Sequence, residues 1–281
     1  MSQVLYDVPG PRARARNRLI GVAGTAVILA VAGYVVYRFA QTGQLDARRW
    51  SILEYKSVQL ALVDGYLNTL RAAAVAAVVA LALGAVLAAA RLSDHRVLRT
   101  PAFAFVEVFR AVPLLVLMFL FYFGALGFRV TPFLAVVLGL VLYNGAVLAE
   151  IFRAGVAAVP AGQAEAAYAL GMRKTQVMLT VLLPQAVRSM LPTIISQLVV
   201  LLKDTALGFL VTYDELVKQI KQLGGAPDFG YPLIQLAIVG GAVYIATCLL
   251  LSRLAVWAEK RVSRSPKVLE SPKVLEATAR Q

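Results

Sequence analysis

Long apolar stretches alternate with short polar segments along most of the chain. Most of the stretches approach the 20 residues that an α-helix needs to cross about 30 Å of hydrocarbon. They lie at about residues 19–37, 69–90, 113–126, 131–152, 192–211 and 232–257. A soluble domain of 281 residues rarely carries several such stretches. The pattern therefore predicts an all-α polytopic membrane protein, with six transmembrane helices between residues 19 and 257.

The two ends of the chain are polar. Residues 1–18 carry four arginines ahead of the first apolar stretch, which is also the arrangement found in a signal peptide. That stretch is longer than the apolar part of a typical signal peptide, so a retained first transmembrane helix is the preferred interpretation. Residues 258–281 contain the sequence SPKVLE twice, at 265–270 and 271–276. Two short copies with prolines predict a disordered tail rather than a packed unit.

Lysine and arginine are distributed unevenly between the polar segments. With six spans these segments alternate between the two sides of the membrane, and one set holds 18 basic residues against 8 in the other. The more basic segments of membrane proteins face the cytoplasm. Both termini and residues 160–184 are therefore expected on the cytoplasmic side of the membrane. This uneven distribution explains the net charge of +13. The sequence lacks the interleaved basic and aromatic residues of a nucleic-acid-binding surface, so the charge does not indicate a nucleic-acid partner.

Few side chains in the sequence are suited to catalysis or to metal binding. Cys248 is the only cysteine and lies in an apolar stretch, and His95 is the only histidine and lies in a polar loop. These counts exclude a disulfide framework and most zinc sites. The sequence has no Gly-x-x-x-x-Gly-Lys-Ser/Thr motif. The chain is therefore not expected to bind ATP or to act as an enzyme by itself, and no metal or cofactor is predicted.

A helix, a glycine bend and a second helix are predicted between the fourth and fifth apolar stretches. Nearly every residue from 163 to 170 favours a helix. Gly171 follows at the position where helices commonly end in a left-handed conformation. In the next helix, apolar residues recur at helical spacing between positions 177 and 182, and this helix is expected to end before Pro184.

This segment also carries a spaced motif. Glu165-Ala166-Ala167 is followed by Gly171 and then by Val181, Leu183 and Pro184. The spacing resembles the cytoplasmic EAA loop of ABC-importer permeases, with valine in place of the commoner isoleucine. The resemblance implies a MetI-like type I importer fold and a coupling loop at 160–184, whose helix docks in a groove of a separate ATPase subunit. An accidental match in a surface helix is the alternative. The residues that the resemblance assigns to ATPase coupling are Glu165, Ala166, Ala167, Leu170, Gly171, Leu183 and Pro184.

Three further segments narrow the resemblance to the polar amino acid permeases. They are residues 109–115, 149–155 and 201–207, so that the similarity covers about residues 60–260. The chain departs from the family at Ala111-Val112-Pro113, where Gly-Thr-Pro is usual, and the departure keeps the helix-breaking proline but loses a polar threonine. It departs again at Arg173, where many relatives have a serine cap.

A charged pair lies inside the fifth apolar stretch. Lys203-Asp204 at that depth costs several kcal/mol unless it faces a partner or water, so it indicates a functional position. The alternative is a self-neutralising pair that fixes helix packing. Asn144 in the fourth stretch is equally suited to line a cavity or to join two helices by a hydrogen bond. Glu150 and Arg153 are interpreted as snorkelling side chains. The predicted substrate path consists of Asn144, Gln197, Lys203, Asp204, Thr205 and Arg110.

The motifs together predict the transmembrane permease subunit of an ATP-driven, binding-protein-dependent amino acid importer. The resemblance implies two ATPase subunits, a second permease chain in a homodimer or heterodimer, and an extracytoplasmic amino acid-binding protein, besides membrane lipid. Acidic or polar amino acids are the expected cargo, and glutamate is favoured because the overall resemblance leans toward acidic amino acid permeases. Arg110 or Lys203 would then offset its second carboxylate. One alternative is an ion-coupled secondary carrier, which predicts inverted repeats and broken helices. A membrane scaffold, the other alternative, predicts no charged pair in a span.

Overall fold

The computed structural model describes residues 10–124 and 130–262, and these residues form helices and turns without strands. Five helices are long and apolar enough to cross a membrane, and a bent pair of shorter helices passes the same test when the two are taken together, which gives five to six spans. The predicted all-α polytopic membrane fold is confirmed. The principal helices are α1 (Pro11–Gln41), α2 (Lys56–Arg91), α3 (Arg96–Ala111), α4 (Leu114–Tyr122), α5 (Pro132–Ala157), α6 (Ala161–Ala169), α7 (Lys174–Val211), α8 (Leu216–Gly224) and α9 (Leu233–Val262).

The larger of two compact units holds residues 60–222 and 237–281, and its core lies between α2, α4, α5 and α7. One face of α2 is smooth, because Ala72, Ala76 and Ala80 recur every four residues and are fully buried. A Cβ atom added at Gly84 of α2 would lie 2.8 Å from Leu148 Cβ of α5. The small residues of the second span therefore allow close helix contact, as the sequence predicts.

The third span is broken. Helices α3 and α4 meet at an angle of 96°, because Val112 is extended and Pro113 lacks the N–H that would continue the helix. The sequence predicts a single span at 113–126. The helix that begins there is shorter than predicted, because α4 has only 9 residues, and only α3 and α4 taken together are long and apolar enough for a span. Residues 125–129, at the end of the predicted span, lie outside the described residues.

Helix α7 continues through Pro184, so the predicted helix end before this proline is wrong. Its first turns include a π-helical segment at Val177–Leu182. The wider backbone of a π turn makes room for a proline ring that would otherwise strike the carbonyl group four residues earlier. The predicted fifth span at 192–211 is therefore the second half of a helix of 38 residues.

Two side chains bond to carbonyl groups at this distorted turn. Thr180 Oγ1 donates to the Gln176 carbonyl at 2.6 Å. Gln185 Nε2 donates to the Val181 carbonyl at 2.8 Å. These bonds give the widened turn additional donors, so that the helix passes the proline without a break.

Helix α8 is tied to the first half of α2. The Tyr213 hydroxyl donates to the Asn68 carbonyl at 2.9 Å, and Thr69 Oγ1 accepts a hydrogen bond from the Leu216 N–H at 3.2 Å. Both bonds lie at the N-terminal end of α8. They fix the polar connection between α7 and α8 against the membrane-spanning core.

Glu215 caps α8 from a buried position. Its side chain is fully buried, and its carboxylate oxygens accept the N–H groups of Val217 at 2.8 Å and Lys218 at 2.7 Å. Burial disfavours the charged form and raises the pKa of Glu215 to about 7, although the two N–H bonds oppose the rise. Sequence reasoning did not identify this residue.

The smaller unit holds residues 1–59 and 223–236. Helix α1 has no buried residue. Beyond it, the Tyr55 and Phe229 rings meet edge to face at 5.0 Å, and Arg48 Nη2 donates to the Asp228 carbonyl at 3.5 Å. These contacts join the short helices Ala47–Trp50 and Ser51–Glu54 to the turn Pro227–Phe229.

The ends of the chain differ in part from the prediction. Helix α9 continues to Val262, so the disordered tail predicted from residue 258 is wrong for its first five positions. The rest of that tail, with both SPKVLE copies, lies outside the described residues, as do residues 1–9 of the N-terminal tail. Helix α1 begins at Pro11, so the predicted N-terminal tail already includes its first turns.

Candidate coupling segment and transport residues

The predicted coupling helix is α6, and it ends in a glycine cap. Gly171 has a φ of +80°, in the left-handed region. Its N–H donates to the Tyr168 carbonyl at 2.9 Å, and the Met172 N–H donates to the Ala167 carbonyl at 3.2 Å. This pair of bonds is the Schellman cap, which satisfies the last carbonyls of the helix and turns the chain sharply. The predicted helix and its left-handed glycine are confirmed.

Helix α6 has an inner face and an outer face. Ala167 is buried against the rest of the chain, whereas Leu170 is 83% exposed. Glu165 and Ala166 are also exposed and share the outer side with Leu170 by helical spacing. The outer face is therefore thin, partly apolar and acidic at one point. Ala167 serves packing within the chain.

The turn after Gly171 is held without a serine. Gln176 Oε1 accepts the N–H of Arg173 at 2.8 Å, which is one half of a capping box. Lys174 Nζ lies 2.5 Å from Asp94 Oδ1, in the loop between α2 and α3. The hydrogen bond and the charge of Lys174 lower the pKa of Asp94. Leu183 and Pro184 follow the π turn and are partly exposed, so they lie at the base of α7.

Asn144 and Gln197 are brought together across α5 and α7. Gln197 Nε2 donates to Asn144 Oδ1 at 2.8 Å, and Asn144 Nδ2 donates to the Leu140 carbonyl at 3.0 Å. Asn144 is fully buried. Of the two interpretations left open by the sequence, the geometry favours the helix–helix hydrogen bond.

The charged pair Lys203-Asp204 lies where α7 changes from an α-helix to a 3₁₀ helix. Asp204 ends the α-helical part, and Thr205–Val211 tighten into a 3₁₀ helix. Lys203 is exposed and Asp204 is half-buried, and within the described residues neither forms an ion pair shorter than 4.0 Å. Thr205 donates to the Leu202 carbonyl at 2.6 Å and lies 2.9 Å from the Tyr244 hydroxyl. A 3₁₀ stretch is a common way for an α-helix to end.

Arg110 lies apart from the other predicted path residues, in a network of charges that sequence reasoning missed. Its Nη1 atom is 3.6 Å from Glu107 Oε1. Arg91, with a side chain only 8% exposed, joins Glu107 at 3.9 Å to Glu150 at 2.6 Å. Arg153 bonds to the same Glu150 at 2.5 Å, so these side chains form ion pairs across α2, α3 and α5 instead of snorkelling. The pairs three residues apart are visible in the sequence, but the link through Arg91 is not.

This arrangement of spans and an exposed capped helix is that of an importer permease. The family model for the binding-protein-dependent transport system inner membrane component matches residues 80–264, from the second half of α2 to the end of the described chain. The protein therefore belongs to this family. The family resemblance expected from the EAA motif is confirmed, and the carrier and scaffold alternatives are set aside.

The relatives of this chain are amino acid permeases. The glutamate transport system permease protein GluD of Corynebacterium glutamicum is 43% identical over 182 residues, which cover 63% of this chain and 67% of GluD. The arginine transport system permease protein ArtQ of Bacillus subtilis is 32% identical, with 72% of this chain and 92% of ArtQ covered. Membership in the polar amino acid permease group, predicted from residues 109–115, 149–155 and 201–207, is thereby confirmed.

Solved structures agree with the fold. A crystal structure of an amino acid ABC transporter with histidines superposes with a TM-score of 0.68 and 30% identity, over 75% of this chain and 97% of that one. The inward-facing MetNI methionine ABC transporter superposes with a TM-score of 0.61 at 20% identity. The second likeness concerns the fold alone, and it agrees with the predicted MetI-like architecture.

Proposed function

We propose that this chain forms the translocation path of an ATP-driven importer for an acidic amino acid, with glutamate as the favoured cargo. The 43% identity to the glutamate permease GluD supports this cargo. An extracytoplasmic binding protein would deliver the amino acid, and a dimer of separate ATPase subunits would supply the energy. The chain pairs with a second permease, identical or different, in a bacterial plasma membrane, with both termini and α6 in the cytoplasm.

The outer face of α6 is the observation on which the coupling proposal rests. Leu170 is an apolar side chain that is 83% exposed at the end of a helix whose neighbouring outer residues are small. An exposed apolar side chain on a thin helix is more stable when it is buried in a cleft of a partner protein than when it is in contact with water. Glu165 adds a charge that selects the orientation of docking.

The capped turn supplies the mechanical link from α6 to the membrane. Gly171 closes α6 with two backbone hydrogen bonds, and α7 begins three residues later at Lys174. A rigid movement of a docked α6 would therefore be transmitted to α7, which bears Gln197 and Asp204. Rotation or tilt of α7 would exchange the partners of these side chains and open the path to one side of the membrane at a time.

The charges of α7 fit the proposed cargo. Lys203 is exposed and has no ion-pair partner within 4.0 Å among the described residues. An exposed cation within a span is suited to hold a carboxylate that passes through the membrane. Asp204 one residue later would hold the amino group. Arg110 is already paired with Glu107, so Lys203 is the stronger candidate for the side-chain carboxylate of glutamate.

Coupling is tested by co-purification of the tagged permease with its ATPase subunit. Leu170→Asp places a charge on the proposed docking face, and Val97→Asp is the matched control, since Val97 on α3 is 84% exposed. We expect Leu170→Asp to reduce ATPase recovery about tenfold, which corresponds to about 1.4 kcal/mol. Val97→Asp should leave recovery unchanged. Equal recovery for both variants would show that α6 does not dock the ATPase.

Cargo is tested by uptake into proteoliposomes that contain the complete complex, with binding protein supplied outside. Glutamate uptake should exceed arginine and glutamine uptake. Lys203→Gln should reduce glutamate transport while ATPase recovery stays normal, because the change removes a charge without touching α6. If Lys203→Gln transports glutamate as well as the original chain, the residue does not hold the carboxylate.

A further inference from the structure

An apolar groove of about 640 Å³ lies beside the coupling segment, between the end of α2, the loop that follows it and the start of α7. Its walls include Leu92, Met178, Leu179, Val187 and Met190. This volume is in the range of pockets that bind small ligands and peptide side chains. None of the residues proposed for the substrate path lines it.

The walls of the groove are incompletely covered by the described part of the chain. Leu179 is 57% exposed and Val187 is 41% exposed. At the rim, the carboxylate of Asp94 and the ammonium group of Lys174 lie side by side. A complementary occupant therefore has aliphatic side chains flanked by one positive and one negative group.

The SPKVLE repeat at 265–270 and 271–276 has this composition. Each copy places an adjacent valine and leucine between a lysine and a glutamate. Asp94 and Lys174 already pair with each other at 2.5 Å, so the lysine beside Asp94 and the glutamate beside Lys174 would extend this ion pair into a row of alternating charges. The proline in each copy favours an extended backbone at the residue before it, which suits a segment laid along a groove.

The repeat has sufficient reach. In the six-span topology α2 and α9 cross the membrane in the same direction, so their C-terminal ends lie on the same side. Cys248 and Leu251 of α9 pack against the same core cluster as Leu92 and Met178 of the groove. The first valine of the repeat, Val268, follows Val262 by six positions, which corresponds to about 20 Å of extended chain, and the second copy reaches about 40 Å.

We propose that the valine–leucine pair of a C-terminal SPKVLE repeat docks in this groove, with its lysine beside Asp94 and its glutamate beside Lys174. Tethering gives the repeat a high effective concentration, so modest intrinsic affinity is enough, and the second copy raises the chance of engagement. The docked repeat would bridge α2 and α7 directly behind the coupling turn. The proposal depends on the six-span topology and not on docking of the ATPase.

Cross-linking within the complete complex tests the contact, in a Cys248→Ser background. Leu269→Cys in the tail is combined with Val187→Cys in the groove, or with Val97→Cys on α3 as the control. Val97 follows the rim residue His95 by two positions and is 84% exposed, so the tail can reach it as well. We expect the groove pair to form its disulfide about tenfold faster, because docking raises the local concentration of the tail thiol. Equal rates for the two pairs would overturn the proposal.

A charge exchange tests the orientation of the docked repeat. Asp94→Lys should slow the disulfide between positions 187 and 269, and the additional change of Lys267→Glu and Lys273→Glu should restore it. Failure of the second change to restore the rate would contradict the proposed pairing. Co-purification of the ATPase with each variant shows separately whether the coupling segment is intact.

Maleimide labelling distinguishes the tail from other occupants. Leu179→Cys should be shielded in the full chain and become reactive when the chain is ended after Val262. Added synthetic peptide SPKVLESPKVLE should restore the shielding. If the shortened chain stays equally shielded in lipid, a lipid or another subunit fills the groove and the proposal is wrong.

Discussion

Gly171 shows how a single backbone conformation defines the coupling segment. Its φ of +80° is unfavourable for every residue with a Cβ atom. A Cβ added there would nevertheless meet no atom within 4 Å. The glycine is therefore required for conformation and not for space. The sequence alone identifies it, because it follows a run of helix-forming residues.

Gly171→Ala should weaken the cap by about 1 kcal/mol without preventing folding, because the strain is local. The expected result is normal membrane insertion, a small decrease in thermal stability, and reduced co-purification of the ATPase. Gly162→Ala is the control: this glycine lies in the first turn of α6, and its added Cβ also meets no atom within 4 Å. Loss of ATPase recovery in both variants would contradict a specific role for the left-handed cap.

Glu215 predicts a pH dependence of stability. Because the pKa of Glu215 is raised to about 7 from the ordinary value of 4.5, the folded protein binds this proton more tightly than the unfolded chain does. The contribution is fully present below about pH 4.5 and is lost as pH rises through about 7. Thermal unfolding of the purified protein between pH 5 and pH 8 measures the loss, at about unit pH intervals.

Glu215→Gln keeps an acceptor for the α8 N–H groups and removes the titration. The variant should show a flatter stability profile over the same pH interval, with the largest gain relative to the original chain at the alkaline end. An unchanged slope would mean that other groups cause the pH dependence. The signal of this residue in the sequence is weak, because a glutamate in a polar connection is usually solvated.

Helices α2 and α5 approach each other closely through small residues. A Cβ atom at Gly84 would lie 2.8 Å from Leu148 Cβ and 3.1 Å from the Gly145 carbonyl oxygen. Neither atom is the flexible end of a side chain. The two helices would have to separate to admit a larger residue.

Gly84→Val should therefore destabilise the protein by roughly 1–3 kcal/mol or more, the usual cost of overpacking. The folded fraction recovered in detergent and the unfolding temperature measure the effect. Gly33→Val in α1 is the matched control, since a Cβ there meets nothing within 4 Å. If both variants lose stability equally, the cause is a branched side chain placed in a membrane-spanning helix in general and not the crossing of α2 and α5.

The sequence largely predicts which residues form helices. It does not predict whether a helix ends at a proline or continues through it. Apolar periodicity locates every span, and the composition of residues 163–171 locates α6 with its cap. Pro184 and Pro113 look alike in the sequence as helix-ending signals. In the fold only Pro113 ends a helix, since the π turn before Pro184 absorbs the ring. Whether Pro184 ends the helix depends on how α7 packs in the fold, and local helix propensity carries no information about that packing.

The same limit applies to contacts between helices. The candidate path residues follow from their polarity within apolar stretches, but their partners do not. Gln197 is 53 positions from Asn144, and Arg91 is 59 positions from Glu150. Pairings at such separations are set by how helices cross. Single-sequence reasoning therefore finds the residues and leaves their geometry undetermined.

For the whole molecule, the distribution of basic residues predicts the orientation in the membrane. Single cysteines in a Cys248→Ser background test it with a membrane-impermeant maleimide. Gln222→Cys on α8 should react in intact cells, whereas His95→Cys in the loop after α2 should react only after the membrane is permeabilised. Both side chains are exposed, so a difference reports sidedness. The reverse pattern would invert the proposed topology.

The π turn in α7 also fixes how far the rest of this helix is rotated about its own axis. A turn of this kind holds one residue more than the α-helical turn it replaces, so it offsets everything beyond it by about 100°, the rotation of one residue in an α-helix. Rewinding this turn as regular α-helix with all its residues kept would therefore leave α6 and the span both intact but out of phase. Gln197 and Asp204 would then face different neighbours. The six residues Val177–Leu182 therefore set the rotation, about the helix axis, of the membrane-spanning part of α7 relative to its first turn.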